Sequence, residues 1–282
     1  MAVPILKMWK HYFENPDEGM GSSYERIMLN EKLFSVAKLF KVKKILEAPI
    51  FGFTGLSGIN SLGLALENYE LTLIDHDENR IEMVKDIWND FDLHPEILFS
   101  KDYDKLDFED RYFDMSWNFS ALWFVKNIDL FLEELTRVTD KVIFLSVPNQ
   151  SGIGYLTQKY SGREDMKKYL IEKNIIPKNV KQIMKELGWV LIDHKFIDCP
   201  PWPDIGMAKE DFLKKFHLGF LNQFLPKKEK DKDILSILNY YRGQDKDFKA
   251  NMLKLSELEK RAPYFFKKFW SHHQYMIFIR GN

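Results

Sequence analysis

Cysteine is almost missing from this chain, and so is any surplus of charge. The single Cys199 excludes an internal disulfide and a cysteine-cluster metal site, and it fits a reducing compartment. Its simplest role is that of a small buried hydrophobe. Formal net charge is −1 over 282 residues with acids and bases interspersed, which disfavours nucleic acid as the main partner. No apolar run approaches the roughly 20 residues of a membrane span. The apolar patch from Met1 to Lys10 is broken by Lys7 and Lys10 and is too short for a secretory core, so a cytoplasmic protein is expected. Internal repeats and low-complexity tracts are also lacking. What the chain does have is apolar matter: 45% of residues are hydrophobic and 15% aromatic, ample for one large domain or a domain with an insertion.

The hydrophobic period changes along the chain. Leu29, Leu33, Val36 and Phe40 recur at helical spacing, and Ser22 with Glu25 reads as a capping box, which predicts a helix over 22–41. Strand and helix patterns then alternate. Strands are predicted at 43–48, 70–75, 95–100, 113–118 and 141–147, and helices at about 58–67, 77–90 and 127–138. A helix at 177–187 leads into the strand Trp189 to Ile192, and Gln274 to Ile279 closes the chain as a last strand. Such alternation predicts an α/β architecture, a doubly wound parallel sheet covered by helices on both faces. Three parts follow: a helical segment over 1–41, a sheet domain over 42–198 plus 271–282, and an insertion over 199–270. The insertion is rich in aromatics, with Phe212, Phe216, Phe220 and Phe224 stepping by four, and it is locally basic. It reads either as a helix packed on the sheet domain or as a lid over an apolar substrate pocket.

The central constellation follows the first strand. Glu47 ends that strand, and Gly52, Gly55 and Gly58 punctuate the loop ahead of a helix. Glycine permits close approach of backbone to a ligand, and Asp75 at the tip of the second strand can accept both hydrogen bonds of a ribose diol. Asp102 precedes Leu106 and Phe108, then Phe113 and Asp114 open a strand that ends at Asn118, ahead of Leu122 and Trp123.

This ordered set resembles the class I S-adenosylmethionine-dependent methyltransferases, particularly the small-molecule branch related to ubiquinone and menaquinone biosynthesis. Glu47 with its glycine loop, the acid Asp75, the series Asp102, Leu106, Phe108, Phe113 and Asp114, and the helix Phe131 to Val138 carry the likeness over about 40–150. The strands at 189–198 and 273–280 fit the family's closing hairpin. The resemblance implies a seven-stranded, mostly parallel sheet with an antiparallel last strand, and S-adenosylmethionine as cofactor. It implies that Glu47 orients the loop and the ligand's amino end, that Gly52 and Gly55 line the methionine portion, that Asp75 holds the ribose hydroxyls, that Asp102 with the backbone at Tyr103 meets the adenine, and that Asn118 faces the sulfonium, with His76 a further cofactor-binding candidate. Two departures stand out. Pro49 replaces the family's first loop glycine, removing a backbone N–H, and Thr139-Asp140-Lys141 replaces a glycine pair before the fifth strand.

The implied activity is methyl transfer (EC 2.1.1.-) to a small, partly hydrophobic acceptor. Such transfer needs an in-line approach in a site that excludes water, so a dedicated base is optional and no catalytic residue is assigned. His272, His273, Tyr12 and Tyr24 are the groups that could accept a proton. No metal is expected. The Asn or Asp plus Pro-Pro-aromatic signature of nucleic-acid methylation is missing from Asn118-Phe119-Ser120-Ala121, which also counts against a nucleic-acid substrate. Two alternatives remain. One is a non-catalytic protein of the same fold that binds a ligand or partner, suggested by Pro49. The other is an NAD(P)-dependent oxidoreductase, weakened because the loop reads G-x-x-G-x-x-G rather than G-x-G-x-x-G.

Overall fold

A computed structural model describes residues 9–15, 17–52, 55–160, 170–202 and 236–281. Seven strands form one sheet: β1 (Lys44–Glu47), β2 (Glu70–Asp75), β3 (Glu96–Phe99), β4 (Phe113–Phe119), β5 (Thr139–Pro148), β6 (Trp189–Ile197) and β7 (His273–Arg280). Their order is β3-β2-β1-β4-β5-β7-β6. Neighbours from β3 through β5 run parallel, and β7 lies antiparallel between β5 and β6. The expected mostly parallel sheet with an antiparallel last strand is therefore present. Chain order reverses between β1 and β4, so the crevice at their carboxyl ends is the natural ligand position in such a sheet.

The pleat divides the core in two. Ile45, Leu71, Leu73, Met115, Trp117, Val142 and Phe144 face one layer, whereas Leu46, Ile74, Ile143, Leu145 and Val147 face the other. The first layer is covered by α1 (Gly19–Leu39) and α3 (Glu78–Asn89), the second by α4 (Ile128–Val138), α5 (Ile153–Tyr160) and α6 (Pro177–Glu186). Local chemistry starts these helices: the Asp77 side chain accepts from the Arg80 N–H at 3.1 Å and Asn127 from the Leu130 N–H at 3.3 Å.

Two sequence expectations need correction. The capping box at Ser22 and Glu25 does not form: α1 begins at Gly19, whose N–H donates to Asp17 Oδ1 at 3.1 Å, and Glu25 is buried against His273 instead. The helix expected from about 58 shrinks to α2 (Leu62–Leu66), because Asn60 and Ser61 turn their side chains to Glu47. Tertiary partners outbid helix propensity in both places.

Of the insertion, Phe212, Phe216, Phe220 and Phe224 lie outside the described residues. Its later part forms α7 (Ile237–Tyr241), α8 (Phe248–Leu255), α9 (Glu257–Arg261) and α10 (Tyr264–Trp270). Ile237, Leu238, Phe248 and Met252 are buried in the first core layer with residues of α1, and the Asn30 amide donates to Tyr241 Oη at 2.6 Å. This stretch is therefore part of the core packing. Tyr264, Phe265 and Phe269 on α10 are exposed.

Candidate functional site

The glycine loop leaves β1 and turns beneath α1. Glu47, at the tip of β1, is buried and accepts from the Ser61 hydroxyl at 2.5 Å and the Asn60 amide at 3.4 Å. Burial outweighs these bonds and pushes its carboxyl up to about 7. Gly52 packs so closely on β4 that a Cβ there would collide with the Phe119 carbonyl oxygen. Gly58 takes a left-handed φ of 78° and its carbonyl accepts from Trp88 Nε1 at 2.8 Å, which fastens the loop to α3.

The segment ahead of α1 packs against this loop. At Gly55 a Cβ would lie 3.0 Å from the Tyr12 ring and 3.3 Å from Glu18 Oε1. Glu18 accepts from the Leu56 N–H at 2.7 Å and pairs with Arg26, which also donates to the Leu56 carbonyl at 2.5 Å and to Asn60. Nothing in the sequence period singled out Glu18 or Arg26, because their roles depend on a loop thirty residues away.

At the tip of β2, Asp75 is fully buried, and both of its oxygens are engaged. Arg80, one turn into α3, grips the carboxylate with two guanidinium nitrogens, one at 2.7 Å to Oδ2 and the other to Oδ1. The backbone N–H groups of His76 and Asp77 add bonds at 2.6 and 3.0 Å. The Arg80 guanidinium lies 3.9 Å from the Phe51 ring centroid and 5.1 Å from that of Trp9. Sequence reading missed Arg80, although an Arg five residues after an acid at a βα junction is a signal that could have found it.

His76 lies beside this pair, with Nδ1 2.8 Å from the Tyr103 hydroxyl, and burial lowers its pKa. Tyr103 is buried, and burial together with the Asp75 charge raises its phenol. Asp102 departs from the other site residues. It sits at the rim, paired with Lys126, whose hydrogen bond holds its carboxyl below the ordinary value. Asn118 is buried at the end of β4, where its amide donates to the Ala48 carbonyl at 3.2 Å. Asn118 Oδ1 and the nearby Ser120 Oγ are buried without a hydrogen-bond partner among the described residues. The structure thus gathers Glu47, Gly52, Asn118, Asp75, His76 and Tyr103 along one edge, with Gly55 under Tyr12 and Asp102 outermost.

The fold is that of the class I S-adenosylmethionine-dependent methyltransferases, whose cofactor is S-adenosylmethionine. Residues 54–142, from the loop through β2, β3 and β4 to the start of β5, match the model of a methyltransferase domain family. Among solved structures, a chain of the complex between the Haloferax volcanii Trm112 methyltransferase activator and its assigned methyltransferase aligns with a TM-score of 0.53 at 11% identity, covering 98% of each chain. A Galdieria sulphuraria protein assigned as a sarcosine dimethylglycine methyltransferase aligns at 0.50 and 14% identity, covering 89% of this chain and 84% of that one. These likenesses concern the fold alone. No curated protein matches by sequence.

The residues fit the cofactor unevenly. Around β1 and β4, a buried carboxyl and two unpartnered oxygens offer acceptor groups of the kind a cationic, amine-bearing ligand needs. At β2 the conformation does not fit a ribose, because the guanidinium already occupies the carboxylate and Phe51 and Arg80 fill the corner.

Proposed function

We propose that this chain binds S-adenosylmethionine at the carboxyl ends of β1, β2 and β4 and catalyses methyl transfer to a small, partly hydrophobic acceptor. The observation carrying the reading is the convergence of Glu47, Asp75 and Asn118 on the crevice where chain order reverses, with Asp75 and Asn118 inside the stretch that matches the methyltransferase domain and Glu47 just ahead of it. Asp75 is proposed as the ribose acceptor once Arg80 releases it. Glu47 and Asn118 are proposed to face the methionine portion, and His76, Tyr103 and Asp102 the adenosine side.

One observation favours a second reading, a non-catalytic binding or partner protein. Arg80 and Asp75 form a complete buried pair, so the ribose corner is already satisfied from within. Isothermal titration calorimetry of the full chain with S-adenosylmethionine and with NAD decides the ligand. Saturable binding of the sulfonium cofactor without binding of NAD is expected, and the reverse result sinks the proposal. With binding in hand, turnover over a panel of amine, hydroxyl and carboxylate acceptors supports catalysis, and none at any acceptor leaves the binding-protein reading.

A further inference from the structure

A second polar cluster lies on the same edge of the sheet, beyond β5, and holds His272 and His273, named above among the groups that could accept a proton. Asp198 directly follows β6, His272 and His273 lead into β7, and Glu25 reaches them from α1. Glu25, Asp198 and His273 are all buried, and one donor atom from each lies within 4.8 Å of the other two. His273 Nδ1 is 3.3 Å from Glu25 Oε2 and 3.6 Å from Asp198 Oδ2. Both distances match the spacing of about 3.0–3.6 Å expected between neighbouring donors that share one cation at ~2.0–2.2 Å.

Charge points the same way. Two carboxyls meet here in a buried setting, which is costly unless a cation or a proton lies between them. Arg26 follows Glu25 in the chain but is committed to Glu18, Asn60 and the Leu56 carbonyl. Asp198 Oδ1 is buried with no hydrogen-bond partner among the described residues. Its Oδ2, the oxygen that faces His273, also accepts from His272 Nδ1 at 2.6 Å, a contact that fixes the orientation of the carboxylate. Around this, the Tyr24 hydroxyl donates to Glu259 at 2.7 Å, and Glu259 accepts from the Cys199 N–H at 2.9 Å. A groove lined by Met28, Lys32, Phe196, Ile197, Glu259 and Tyr275 lies beside these outer groups, meeting them at Glu259.

We propose that Glu25, Asp198 and His273 form a binding site for one divalent transition-metal ion, with His272 as the positioning residue behind Asp198. An imidazole with two carboxylates suits Zn²⁺ or Mn²⁺ and disfavours Mg²⁺, which prefers an all-oxygen shell. Three protein donors leave a fourth position for water. A bound ion here ties α1 to the β6–β7 hairpin. Counting cysteines could not reveal the site, because its donors are oxygen and imidazole from three separated segments.

The test uses the full chain stripped with a chelator and dialysed, titrated calorimetrically with Zn²⁺, Mn²⁺ and Mg²⁺, with metal content checked by mass spectrometry. One equivalent of Zn²⁺ or Mn²⁺ per chain is expected, together with a rise in melting temperature. Asp198→Asn and His273→Gln are expected to weaken binding at least tenfold. Should either fail to fold, Glu25→Gln keeps the shape of α1 and is expected to show the same loss. The proposal is overturned if neither transition ion binds, if Mg²⁺ binds as tightly as they do, or if folded variants bind as the parent does.

Discussion

Arg80→Ala tests whether the Asp75 corner is a ligand site held shut from within. In the parent chain both side chains are buried, and the guanidinium covers both carboxylate oxygens while packing on Phe51. Deleting one partner of a buried ion pair leaves an uncompensated charge and typically costs about 3–5 kcal/mol. The value should fall toward the lower end, because Asp75 keeps the N–H bonds from His76 and Asp77. In a chain of this size the loss should lower the melting temperature by roughly 10 °C. Adding S-adenosylmethionine should reverse much of it. A ligand at a hundred times its dissociation constant stabilises by about 2.7 kcal/mol, and in the variant the diol meets a carboxylate with no competitor. Differential scanning fluorimetry with and without cofactor, paired with calorimetric titration, reads both quantities. Tighter cofactor binding by the variant than by the parent is expected. A variant that is no less stable, or that binds the cofactor more weakly, refutes the idea that Arg80 competes for Asp75.

Two further outcomes are expected. Burial raises Glu47 to about 7 in the folded chain, above its unfolded value near 4.5, so the folded state holds the proton more strongly. Stability from this group is then full below about pH 4.5, falls as pH rises toward 7, and levels off above it, a change on the order of 3 kcal/mol. Glu47→Gln should flatten that slope in urea melts between pH 5 and 7, and an unchanged slope would show that another group titrates. Phe248→Ala, from the insertion, removes a buried ring stacked on Tyr240 and packed with the core under α1. It should cost about 3–5 kcal/mol by chemical denaturation. A loss below 1 kcal/mol would mean that this part of the insertion is a detachable lid rather than core.

Much of the architecture was legible because period and turn chemistry are local. Strand runs such as Leu71 to Ile74 and the amphipathic helix from Phe131 to Val138 carry their own face assignments, and the structure places them within a residue or two of the expected ends. The placement of candidate residues was legible where position along a strand dictates it: Glu47, Asp75 and Asn118 each lie at or near the carboxyl tip of a parallel strand. Where a side chain answers to something distant, the reading failed. Ser22 and Glu25 have the spacing of a capping box, yet Glu25 is drawn inward by His273, some 250 positions later.

The sequence by itself determined the alternation of strand and helix, the two-faced core and the acids at the strand tips, since each follows from spacing within a dozen residues. Only the tertiary structure decided what those acids touch. Arg80 closes on Asp75, Glu18 and Arg26 fasten the glycine loop, and Glu25 meets Asp198 and His273. Such pairings depend on how α1, α3 and the β6–β7 hairpin pack on the sheet, and the energy of a buried charge is set by the neighbours that packing brings within a few ångströms.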